Sequence, residues 1–78
     1  MAKTYNGHPS YNAWNVALWI GNDEGLYNLA RDHKRNCSGT IRQAAQNFVN
    51  HMEDMGQPRT GDGVRWTVTN VMRAMRDL

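Results

Sequence analysis

Read by its apolar and polar positions alone, the chain divides into four helical segments joined by short breaks. Ile41, Ala44, Ala45, Phe48, Val49, Met52 and Met55 recur at i, i+3, i+4, i+7, i+8, i+11 and i+14, the spacing of one helix face. Arg42, Gln43, Gln46, Asn47, Asn50 and Asp54 fall outside that arc. Thr40 stands at the N-cap position, Gly56 at the stop, and Pro58 two residues beyond. Earlier in the chain, Ser10 caps a segment from Tyr11 to Ile20. Tyr11, Trp14, Leu18 and Trp19 cover one side of its wheel, and Ala13, Val16, Ala17 and Ile20 the other. Only Asn12 and Asn15 interrupt the apolar surface. A helix apolar nearly all round is expected to be buried and central. Trp, Val and Ile also favour strands, but the length and the cap favour helix.

Gly21 is expected to end this helix, with Asn22 or Asp23 capping the next. Leu26, Leu29, Ala30 and His33 then recur at helical spacing. Lys34 and Arg35 in the last turn suit the negative end of the helix dipole. Asn36 to Gly39 reads as a loop, and so do residues 57–63 with Pro58, Gly61 and Gly63. A last helix is predicted from about Thr67 to Asp77, with Val68, Val71, Met72 and Met75 facing the core. Val64-Arg65-Trp66 leads into it, either extended or helical. Residues 1–9 read as an irregular arm, because Asn6-Gly7 signals a turn and Pro9 keeps His8 out of helical geometry. The expected fold is all-α: one domain over residues 1–78, a compact bundle of about four short helices around a tryptophan-rich first helix.

Length sharpens this picture. With 78 residues, the core supplies only about 3–5 kcal/mol of net stability without help. Cys37 is the single cysteine, so no disulfide forms within the chain, and a free thiol at a helix end or in a loop is expected. Trp14, Trp19 and Trp66 are the expected helpers, and Trp14, Leu18, Phe48, Val49, Met52 and Met72 are expected to share one core. No run of roughly 18 apolar residues is present, so no membrane span is expected. The N-terminal residues lack the apolar stretch of a secretion signal. The expected location is the cytoplasm of a host bacterium.

Catalytic chemistry has no recognisable signature. There is no nucleophile with a base at a known spacing, no metal motif and no phosphate loop. His33 and Cys37 lie four apart, but structural metal sites want about four ligands, so a half-exposed histidine at a helix end is the plainer reading. Glu53 and Asp54 point about 100° apart on a helix and do not converge. Thr60-Gly61-Asp62-Gly63 reads as a turn. No enzyme activity and no cofactor are expected.

The net charge of +2 says less than its distribution. Arg31, Lys34 and Arg35 form one local patch, with Tyr27 a turn earlier. Arg73 and Arg76 share a stripe with Thr69, and Arg65 lies just upstream. Tyrosine and arginine are enriched at binding hot spots. Tyr27, Arg31, Lys34, Arg35, Arg65, Arg73 and Arg76 are therefore the candidate partner-binding residues, against the alternative of an ordinary solvated surface. If they are only solvated surface, the contact falls to the arm around Tyr5 and His8 or to the loop from Arg59 to Gly63.

The stretch YNGHPSYNAWNVALWIGNDEGLYNLA, Tyr5 to Ala30, a third of the chain, resembles an uncharacterised family of very small proteins of phages and mobile elements. The resemblance rests on the tyrosine–asparagine–glycine turn, the core NVALWI and the following asparagine–aspartate and leucine–tyrosine pairs. The sequence departs from that pattern at His8 and at Asn12-Ala13. The resemblance implies a mobile-element context with no assigned enzyme activity. Small phage proteins often block host defence by binding it, as anti-CRISPR proteins do. The expected function is a phage-type inhibitor that binds a host protein or ribonucleoprotein defence complex stoichiometrically. A small nucleic-acid-binding or regulatory module and a homodimeric or larger assembly protein are the competing classes.

Overall fold

The computed structural model describes residues 9–76 and residue 78, so the N-terminal arm with Tyr5 and His8, and Asp77, lie outside the described residues. The described chain is the expected all-α bundle: α1 (Tyr11–Asn22), α2 (Glu24–Asn36), α3 (Ile41–Asp54) and α4 (Val68–Arg76). Among the described residues, no helix is long and apolar enough to cross a membrane.

The caps are where the sequence places them. Ser10 Oγ accepts the Ala13 N–H at 3.1 Å, and Thr40 Oγ1 accepts the Gln43 N–H at 3.2 Å. Thr67 Oγ1 accepts the Asn70 N–H at 3.2 Å as α4 begins. Gly21 does not end α1, which continues to Asn22. Asp23 alone makes the joint: its N–H donates to Trp19 O at 3.0 Å, and its carboxylate accepts the Leu26 N–H at 3.0 Å. One residue thus closes α1 and opens α2. Beyond α3, Gly56 at φ 75° donates to Glu53 O and Gln57 donates to Met52 O at 2.8 Å. These two bonds satisfy carbonyls a helix end would leave open, in the left-handed geometry that suits glycine.

A single apolar cluster fills the bundle. It takes Val16 and Ile20 from α1, and Ala30 from α2. From α3 come Ala44, Ala45, Phe48, Val49 and Met52, and from α4 Val71, Ala74 and Met75. Phe48 is fully buried and meets the Trp66 ring edge-on, with centroids 5.4 Å apart. α4 packs against all three other helices. The first helix is less enclosed than its composition suggested. Its buried residues are Ala13, Asn15, Val16 and Ile20, while Tyr11 and Leu18 are exposed and Trp14 and Trp19 half-buried. The face carrying the smaller side chains is the one turned inward, because it lets the backbone of α1 approach its neighbours. Leu18 and Trp14 therefore lie outside the expected core. Met72 and Val68 pack against the core from its margin. Met55 leaves the apolar arc of α3 as its exposed C-cap residue.

Cys37 is a free, half-buried thiol. It caps α2 through its N–H to His33 O at 3.1 Å, and its side chain packs against the core margin.

The segment between α3 and α4 is a narrow hairpin. Thr60 N–H donates to Val64 O at 2.7 Å and Trp66 N–H to Pro58 O at 3.0 Å, bracketing an antiparallel bridge between Arg59 and Arg65. Gly63 at φ 88° lets the chain turn. Val64 to Trp66 is therefore extended. Val64 and Trp66 reach the core while Arg65 between them is exposed, which is the two-residue alternation of extended chain.

Candidate binding groove and its basic rim

Asn15 is the polar residue at the centre of the molecule. It is fully buried, where an unpaired amide is costly. Its Nδ2 donates to Asp62 Oδ2 at 2.8 Å, and its Oδ1 accepts the Thr60 hydroxyl at 2.8 Å. Asp62 Oδ2 also accepts the Trp19 indole N–H at 2.9 Å. Thr60 Oγ1 in turn accepts the Asp62 and Val64 N–H groups at 3.3 and 3.2 Å. Hydrogen bonds from Asn15 and then Trp19 hold the Asp62 carboxyl below its ordinary value, since both donate to the ionised form. Gly61 abuts the Trp19 ring, and a Cβ there would run into it. The hairpin tip is thus fastened to α1, and the Trp19 indole is fixed in place.

That fixed indole forms one wall of an open groove of about 830 Å³. Leu26 and Leu29 of α2, Met52 of α3 and its C-cap Met55, and Pro58 and Trp66 of the hairpin supply the rest of its apolar lining. Asp23, His51, Gln57 and Arg59 supply polar groups. Aromatic and methionine side chains with a few polar groups are the composition of a contact surface.

The residues singled out from the sequence lie elsewhere. Tyr27 is half-buried on α2, and Arg31 and Arg35 are exposed there. Lys34 is already engaged: its Nζ donates to Leu78 O at 2.7 Å, tying α2 to the end of the chain. Arg73 is half-buried, with a buried Nε that has no hydrogen-bond partner among the described residues. Arg76 is exposed, and Arg65 stands opposite Arg59 on the hairpin. None of these seven lines the groove. The sequence marked Trp19 only as one of three tryptophans expected to stabilise the fold by burial, and gave Arg59 only a fallback place. The available signal was Met55, the last apolar residue of the α3 arc, standing just before the glycine stop with nothing of its own helix left to pack on.

A second, smaller recess of about 350 Å³ is lined by His33, Cys37 and His51, with Leu29, Asp32, Asn36 and Asn47. The two imidazoles meet edge-on with centroids 5.6 Å apart. Burial, then the neighbouring His51, lowers the His33 pKa below its ordinary value, opposed by Asp32. Among the described residues, no three such ligands come together to hold a metal ion.

No curated protein and no solved structure matches the chain. A family model does match, across residues 1–78, and the chain therefore belongs to that family of unknown function, DUF7249.

Proposed function

We propose that the protein acts by stoichiometric binding, as a phage-type inhibitor of a host defence complex in the manner of anti-CRISPR proteins. The observation that carries the binding reading is the groove beside Trp19. Of its apolar lining Met52 and Trp66 belong to the core, but Trp19, Leu26 and Leu29 are only half-buried and Met55 on its edge is 50% exposed. Apolar surface of this kind beside polar groups is the usual mark of a protein contact site. The finer identity of the partner is supported by the resemblance of Tyr5 to Ala30 to small mobile-element proteins. The direct test is plaque formation on bacteria carrying an active nucleic-acid-targeting defence. Expression of the chain should restore plaques, and a Met55→Glu variant that folds normally should not. Unrestored plaques across a panel of such defences would remove the inhibitor reading.

Arg31 and Arg35 keep an alternative open, because both are exposed on one face of α2 and suit phosphates or an acidic surface. Charge reversal at both, and separately at Arg76, should leave the melting curve unchanged and weaken partner capture if these faces make the contact. Unchanged capture by all the variants assigns the contact to the groove. Arg73 is unsuited to this comparison, since its buried Nε makes reversal there a test of folding.

A further inference from the structure

We infer that the groove and the hairpin beside it take a linear segment of a partner protein in which apolar side chains are followed by carboxylates. This deepens the binding reading above and rests on it. Arg59 and Arg65 face each other across the antiparallel bridge. The bonds that bracket them, Thr60 N–H to Val64 O and Trp66 N–H to Pro58 O, make them a non-hydrogen-bonded pair. In such a pair the side chains leave the same face and stand closest, with Cβ atoms about 4.5–5.5 Å apart. Two like charges directly opposite are unfavourable there. The nearest acid in sequence, Asp62, makes its side-chain hydrogen bonds with Asn15 and Trp19 rather than with either arginine. Both arginines are exposed.

A carboxylate is the group that a pair of guanidiniums matches in charge and in planar, two-pronged hydrogen bonding. The pair adjoins the groove directly. Arg59 lines it, and so do Pro58 before Arg59 and Trp66 after Arg65. A ligand satisfying both features carries apolar side chains for Trp19, Leu26, Leu29 and Met55, which keep exposed surface, and acidic ones for the arginines. A nucleic acid fits less well, because the Asp23 carboxylate lies on the same groove and would face its phosphates.

The test is selection of short random peptides displayed on yeast against the purified chain, followed by binding of the enriched peptides in solution. Enriched sequences should pair Leu, Phe or Trp with Asp or Glu. They should lose about tenfold or more in affinity against Arg59→Gln/Arg65→Gln, a variant milder than charge reversal, with its helical circular dichroism retained. Met55→Glu should weaken the same peptides independently. Enrichment without an acidic excess, or with no loss in the arginine variant, overturns the proposal. Absence of enrichment also overturns it. In that event, a free-chain mass near twice the monomer gives the face to a second copy, and salt-dependent binding of single-stranded DNA lost in the arginine variant gives it to nucleic acid. Restoration of plaques is scored separately, so an inhibitor that binds by another face is told apart from a failed inhibitor.

Discussion

Asn15 shows how much one side chain decides. It sits at zero exposure on a helix of apolar neighbours, and its side-chain partners, Thr60 and Asp62, come from a hairpin 45 and 47 residues away. Asn15→Ala should destabilise the protein by about 1–3 kcal/mol, because the Thr60 hydroxyl is left buried and without its acceptor. Thermal melts measure this directly, and a parent-like melt would show that the contact contributes nothing. Asp62 adds a pH signature. Its folded pKa is depressed, so its contribution is present above the unfolded value and is lost as pH falls through the folded one. Asp62→Asn should therefore flatten the acid end of the stability profile. His33 acts nearer neutrality. Its folded pKa is lowered, so below the ordinary histidine value the unfolded chain binds the extra proton and stability falls. His33→Gln should remove the loss of stability between neutral and mildly acidic pH, and an unchanged profile would show that His33 titrates alike in both states.

Among the elements, the hairpin is the most demanding. Gly61 meets the Trp19 ring and Gly63 turns at positive φ. Gly61→Ala should displace the indole, lower the melting temperature and shift tryptophan emission. Gly63→Ala should cost about 1 kcal/mol through backbone strain alone. The helices were legible in the sequence because their signals are local: Ser10, Asp23, Thr40 and Gly56 each act within a few residues, and the arc of α3 has a clear period. The inward face of α1 was not legible. An all-round apolar helix has no period to mark which side packs, and the larger face was the wrong guide. The Thr60–Asp62 turn was recognised as a turn, but its partner lies far away in sequence, so its fastening role had no local signal. The basic residues on α2 and α4 were visible for their charge, whereas the groove beside Trp19 arises only when four separate segments meet.

For the molecule as a whole, Phe48 is the central test. It is fully buried and contacts Trp66. Phe48→Ala should cost about 3–5 kcal/mol, comparable to the whole stability expected of so small a fold. Loss of cooperative melting is the expected readout, and a variant melting like the parent would contradict the packing described.

The seam between α1 and the hairpin also separates what assembles early from what assembles late. Neighbouring helices meet through short chain segments, whereas Asn15 and Thr60 close a loop of 45 residues, whose entropy must be lost before any contact there contributes. The seam should therefore form after the transition state. Kinetically, Asn15→Ala should leave the refolding arm of a chevron plot almost unmoved and accelerate unfolding by nearly the full equilibrium loss, a φ-value near zero. Ala45→Gly on α3 should instead slow refolding. The seam would then set how long each folded molecule lasts, while the α3 core sets how quickly it is made.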